Sequence, residues 1–130
     1  MLLSKHHPVP RVLLIEDSED TRELSRLTLE SQACEVAAVS SAEAALGLLR
    51  AGERFDLVFT DVCLGGLSGL EAAHAIQQFQ PGLPLLVTSG LPPMDVLPRL
   101  TAGMRFLPKP YSMSELLDAI REGLQPPMAA

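Results

Sequence analysis

Five residues hold most of the chemical potential of this chain. Glu16 and Asp17 close the apolar run "VLLIED", Asp61 closes "DLVFTD", Ser89 closes "LLVTS", and Lys109 follows "RFLP". Adjacent carboxylates repel. Two unit charges about 4 Å apart cost about 4 kcal/mol at an effective dielectric near 20. If the apolar runs are neighbouring strands, Asp61 joins the acidic pair on one rim, and such a cluster needs a counter-ion. All-oxygen donors, incompletely supplied by the protein, suit Mg2+ better than a transition metal. Cys34, Cys63, His6, His7 and His74 show no zinc spacing.

The elements must therefore bring four chain segments together. Strands are predicted at about 11–16, 35–39, 56–60, 84–88 and 104–107. Several are apolar on both faces, the pattern of a parallel sheet covered by helices on both sides. A first helix is expected over about 18–32, with Leu24, Leu27 and Ser31 at helical spacing. A second follows Ser40, with Ser40 and Glu43 as a capping box, and ends near Gly52. A third follows Ser68, boxed with Glu71, and stops before Pro81-Gly82. The last follows Ser112, boxed with Glu115, and carries Leu116, Leu117, Ile120 and Leu124 on one side. This alternation specifies a doubly wound α/β domain, whose ligands bind beyond the carboxyl ends of the strands. The segment "GLPPMDVLPRLTAG" should hold a fourth helix but contains Pro92, Pro93 and Pro98. Proline inside a helix costs about 3 kcal/mol, so that helix is expected to be short, displaced or missing.

A chain of 130 residues suits one domain with a core of its own. With 47% hydrophobic and 20% charged residues it reads as globular rather than disordered. The net charge of −6 argues against direct nucleic-acid binding and suits a cation or a basic partner. No apolar run approaches the roughly 20 residues of a membrane span. The start, "MLLSKHHPVPR", lacks the long apolar centre of a signal peptide. Two cysteines make no disulfide framework, and both are expected as reduced thiols in a cytoplasmic protein without membrane insertion.

Together "LLIEDSED", "DLVFTDVCLGGLSGLE", "LLVTSG" and "FLPKPYSMSEL", in that order over about residues 10–124, resemble the receiver domain of bacterial two-component response regulators. The resemblance implies a flavodoxin-like, five-stranded parallel sheet with strand order 2-1-3-4-5. Residues 1–10 would be an N-terminal extension, 11–124 the receiver and 125–130 a tail. Asp61 would accept a phosphoryl group from a histidine kinase, a phosphotransfer protein or a small phosphodonor. Mg2+ would be held by Asp17, by Asp61, by the main-chain carbonyl of Cys63 and, through a water, by Glu16. Lys109 would pair with the phosphoryl oxygens, Ser89 would hydrogen-bond one of them, and Lys109-Pro110 would be cis. Phosphoryl transfer is mostly positioning and charge neutralisation, which one Mg2+ and one lysine can supply. In the implied switch, Ser89 moves toward the phosphoryl group, Phe106 turns inward, and the surface of the fourth helix, fifth strand and last helix changes. Such a domain is no separate enzyme, because it catalyses only its own phosphorylation and dephosphorylation. Its partners would be the phosphodonor and a downstream protein target.

Taken singly, the site residues have plain structural accounts: a strand-end cap at Asp61, a turn or helix cap at Ser89, a solvated lysine at Lys109. None explains complementary chemistry at four strand ends at once. The chain also departs from the family pattern. Gly65 stands where proline is usual, and Phe106 lacks the hydroxyl of the commoner tyrosine. A phosphatase of the haloacid-dehalogenase type would want a second aspartate two residues after Asp61, where Cys63 stands. A flavin binder would place Ser, Thr or Gly, not an acidic pair, after the first strand. A non-phosphorylated pseudo-receiver is the remaining alternative, opposed by the complete set of five residues. With its fourth helix disrupted, the protein is expected to be a monomer or a weak dimer.

Overall fold

A computed structural model describes residues 9–62 and 69–125. Its elements, in chain order, are β1 (Arg11–Ile15), α1 (Glu19–Glu30), β2 (Glu35–Val39), α2 (Ala42–Arg50), β3 (Leu57–Asp61), α3 (Gly69–Phe79), β4 (Leu85–Ser89), α4 (Pro93–Val96), β5 (Met104–Pro108) and α5 (Met113–Leu124). The strands form one parallel sheet in the order β2-β1-β3-β4-β5. Ile15 pairs with Thr60, Asp61 with Thr88, and Ser89 with Pro108. That register aligns the strands' carboxyl ends, so the residues at or just past those ends share one rim.

Strand alternation divides the core in two. Leu13, Ile15, Val58, Leu85 and Val87 pack on one face against Ala45, Leu49, Ala73 and Ile76 of α2 and α3. Val12, Leu14, Leu57, Phe59 and Leu86 pack on the other against Leu29 of α1 and Leu116 and Ile120 of α5. Strands β3 and β4 are buried along their whole length, which is why their sequences are apolar at successive positions. Cys34 is a free, buried thiol in the second core, and burial pushes its pKa up.

Two helix assignments from sequence need correction. The buried face of α1 is Ser25, Thr28 and Leu29, whereas Leu24 and Leu27 are more than half exposed and Ser31 is the C-cap. Two hydroxyls are satisfied within the helix, Thr28 donating to the Leu24 carbonyl at 2.9 Å and Ser31 to that of Thr28 at 2.6 Å, whereas Ser25 meets the Tyr111 hydroxyl. The cap of α2 is Ser41, accepting from Ala44 N–H at 3.1 Å, so the expected Ser40–Glu43 box does not form. The Ser68–Glu71 box involves Ser68, which lies outside the described residues. The third box is present in full at α5, with Ser112 and Glu115 each accepting the other's backbone N–H at 3.0 Å. Ser112→Ala is expected to destabilise the fold by about 1 kcal/mol, read as a lower urea midpoint with an unchanged slope.

The proline-rich segment holds a single helical turn. Pro93 sits at the start of α4, where its missing N–H is tolerated, and Leu97–Arg99, containing Pro98, tightens into a 3-10 turn. Leu91, Met94 and Leu97 are left exposed at 47%, 79% and 52%. The chain then re-enters β5 through a turn tied to α3. Gln77 donates through Nε2 to the Ala102 carbonyl and accepts the Thr101 hydroxyl at 2.6 Å. Gly103, at φ +94°, completes that turn.

Candidate functional site

The acidic pair sits where β1 gives way to α1. Glu16 is 6% exposed and Asp17 is exposed. The Glu16 N–H donates to the Val39 carbonyl at 3.0 Å, and its own carbonyl accepts from the Arg22 guanidinium at 2.9 Å. Ser18 caps the helix by accepting from Thr21 N–H, and Glu19 and Asp20 fill the first turn, where the helix dipole favours them.

Asp61 closes β3 and is 5% exposed. Lys109 Nζ lies 2.5 Å from its Oδ2. The lysine's own N–H donates to the Ser89 carbonyl at 2.9 Å, which holds its backbone to the end of β4. The Lys109-Pro110 bond is cis, as expected. Thr88 is fixed by its hydroxyl bond to the Leu107 carbonyl at 2.7 Å. Ser89 is fully buried, and its Oγ accepts from Leu91 N–H at 2.9 Å. Phe106 is half-buried on β5, opposite Val87.

Charge is unevenly compensated here. Burial, then the Asp61 and Asp17 charges, push the Glu16 carboxyl up to about 7, with Lys109 opposing. Burial works against the Lys109 ammonium, but the bond to Asp61 and the charges of Asp61 and Glu16 outweigh it, so its pKa is raised. Tyr111 follows the cis-proline. Its ring meets Phe59 edge-on at 6.3 Å, and its hydroxyl, raised in pKa by burial, stands beside Ser25. An open groove of about 570 Å3, lined by Thr21, Gly90, Lys109, Pro110 and Tyr111, leads to this corner.

Among the described residues no three Asp, Glu, His or Cys side chains form a ready metal cage. Mg2+ does not require one, since it is commonly held by one or two carboxylates with waters completing the shell. The donors present are hard oxygens. Burial is the first cause of the raised Glu16 pKa, and the neighbouring Asp61 and Asp17 carboxylates add to it; a divalent cation would offset the part that comes from those charges. On that chemistry Mg2+ fits. The expected carbonyl donor of Cys63, and Gly65, lie outside the described residues.

The structure thus brings Glu16, Asp61, Ser89 and Lys109 to one rim, with Asp17 at its lip. Sequence reasoning missed Arg22, Tyr111 and Gly69. Gly69 opens α3 against the backbone of Asp61 and Val62.

A five-stranded parallel sheet in the order β2-β1-β3-β4-β5, covered by helices on both faces, defines a flavodoxin-like α/β fold. The sequence matches the response regulator receiver domain family over residues 12–121, and the chain belongs to that family of two-component signal-transduction modules. It is 37% identical over 115 residues to the response regulator protein FleR of Pseudomonas aeruginosa, covering 85% of this chain and 24% of that protein. It is 32% identical over 116 residues to the response regulator MprA of Mycolicibacterium vanbaalenii, covering 85% and 48%. Among solved structures, a receiver protein from Sinorhizobium medicae superposes with a TM-score of 0.83 at 25% identity, covering 89% of this chain and 94% of that one. The receiver domain of the hybrid histidine kinase CckA gives 0.76 at 25% identity, covering 88% and 99%. The chain spans between 22% and 26% of the length of the curated relatives FleR, PilR and prr1.

Proposed function

We propose that residues 11–124 form a phospho-accepting receiver in which Asp61 takes a phosphoryl group from a phosphohistidine. The observation that carries this reading is the buried Asp61 carboxylate held against Lys109 beside Glu16 and Asp17. An Asp61 oxygen attacks phosphorus, the P–N bond to the donor imidazole breaks, and the imidazole keeps the electron pair. Bound by Asp17, Asp61 and, through water, Glu16, Mg2+ would supply neutralisation of charge on the phosphoryl oxygens. Lys109 exchanges part of its contact with Asp61 for a transferred oxygen. Ser89 gives up its contact with Leu91 N–H and donates its hydroxyl to another. The Phe106 ring, half-buried beside this strand end, follows Ser89 inward. Binding energy directed at the charge of the transferring group is what lowers the barrier.

The donor is a histidine kinase or a phosphotransfer protein, entering by the groove beside Lys109. The output is a protein target reached through the surface of α4, β5 and α5. Residues 1–10 and 125–130 flank the domain. Among the described residues no helix is long and apolar enough to cross a membrane. With α4 reduced to one turn, association through that surface is weak and the protein is a monomer or weak dimer. Sedimentation with and without a phosphoryl mimic checks this, and a tight dimer induced by the mimic refutes it.

The decisive experiment is incubation with acetyl phosphate and Mg2+ followed by intact mass. One added phosphoryl group is expected, absent in Asp61→Asn and abolished by a chelator. A folded wild-type protein that gains no mass is instead an interaction module without phosphorylation.

A further inference from the structure

We propose that Arg22 is a positioning residue for the divalent-cation site, fixing the peptide between Glu16 and Asp17 so that the Asp17 carboxylate meets the ion. The inference rests on the receiver reading above. Strand β1 ends at Ile15, so the sheet ladder no longer holds the chain where the acidic pair begins. Both backbone polar atoms of Glu16 are nevertheless occupied. Its N–H donates to Val39 of β2 at 3.0 Å, and its carbonyl accepts from Arg22 Nη1 of α1 at 2.9 Å. That carbonyl belongs to the same planar peptide as the Asp17 nitrogen, so Arg22 sets the direction in which Asp17 leaves the strand.

Arg22 is half-buried, and its neighbour Arg26 takes the ion pairs with Glu23 and Glu30. A surface arginine serving solubility would stay with those glutamates. Arg22 reaches back over the loop instead. Its charge by itself would oppose a divalent cation at this site, whereas its hydrogen bond pre-forms the site. Deleting it therefore separates the two effects by sign: lost charge strengthens cation binding, lost positioning weakens it.

The test is calorimetric titration of the metal-free protein with Mg2+. Arg22→Met is expected to weaken binding about tenfold, the scale on which loss of a ligand's outer hydrogen-bond partner is felt. Arg22→Lys, which keeps a donor on a long stem, is expected to restore binding to within about threefold of wild type. Without metal, the Glu16 amide should exchange faster in the Met variant than in the Lys variant. Equal or tighter Mg2+ binding by Arg22→Met, or no recovery in Arg22→Lys, overturns the proposal while leaving the receiver reading intact. A wild-type protein that binds no Mg2+ overturns both.

Discussion

Gly69→Ala is expected to remove most phosphoryl uptake and to cost about 3 kcal/mol of stability. A Cβ at this position would fall 2.7 Å from the Asp61 carbonyl carbon, and closer still to the Asp61 oxygen and the Val62 Cα. All three are backbone atoms, so no rotamer change can make room. Gly69 N–H also donates to the Val62 carbonyl at 3.0 Å, which clamps the start of α3 onto the end of β3. Either the helix start or the strand end must shift. Overpacking of a well-packed site typically costs 1–3 kcal/mol, and a backbone clash belongs at about the upper end. The strand end carries the candidate phosphoacceptor, and a displacement of about 1 Å there can cost about 100-fold in rate. Urea unfolding and the acetyl phosphate mass assay read the two effects. Gly47→Ala is the control. Nothing lies within 4 Å of its added Cβ on an exposed helical site, so stability should rise, by about 0.5–1 kcal/mol. Equal behaviour of the two variants would show that close approach at Gly69 does not matter.

The second large effect is on pH. In chelator, the protein is expected to gain about 2 kcal/mol of stability as pH falls from about 8 to about 5. Glu16 has its folded pKa raised from 4.5 to about 7. The folded state therefore holds this proton more tightly than the unfolded chain does. The penalty for the ionised carboxyl is full above about 7, shrinks between 7 and 4.5, and is absent below. Lys109, also raised, stays charged across this window, so its stabilising contribution is constant there. Glu23 is shifted the opposite way, down, and its contribution is lost only at lower pH. Asp61→Asn removes the leading charge that acts on Glu16 while leaving it buried, so it should lessen the pH dependence without abolishing it. Saturating Mg2+ should lessen it too. Thermal melts at the two pH values measure this, and a profile that is flat or rises with pH would contradict the charge balance described here.

Much of the candidate site was legible because each apolar run ends in, or just before, a charged or hydroxyl-bearing residue. Asp61, Ser89 and Lys109 could be placed on one rim because each lies at the carboxyl end of a strand expected in a parallel sheet. The helices were harder. Leu24 and Leu27 outrank Ser25 and Thr28 in hydrophobicity, yet α1 turns the small residues inward. Thr28 is satisfied by the Leu24 carbonyl of its own helix and Ser25 by Tyr111, and no periodicity count registers either bond. The choice between Ser40 and Ser41 as cap depended on where the α2 axis begins, which packing decides. Arg22 and Gly69 act through single contacts across the fold, a hydrogen bond and a missing Cβ. Neither leaves a pattern in the order of residues.

The Gln77 bracket has a mechanical consequence. It fastens the turn at Thr101 and Ala102 to α3, while the Lys109 amide fastens the far side of the rim to Ser89. The stretch from Leu91 to Leu100 is thus a strap buckled at both ends, too short in helix to swing as a lever. A disturbance passing from Ser89 into this stretch would be taken up as a bulge in the strap, on either side of the buried Val96. What a neighbouring molecule would feel is a changed arrangement of three oily studs, Leu91, Met94 and Leu97, rather than the sliding of a rod.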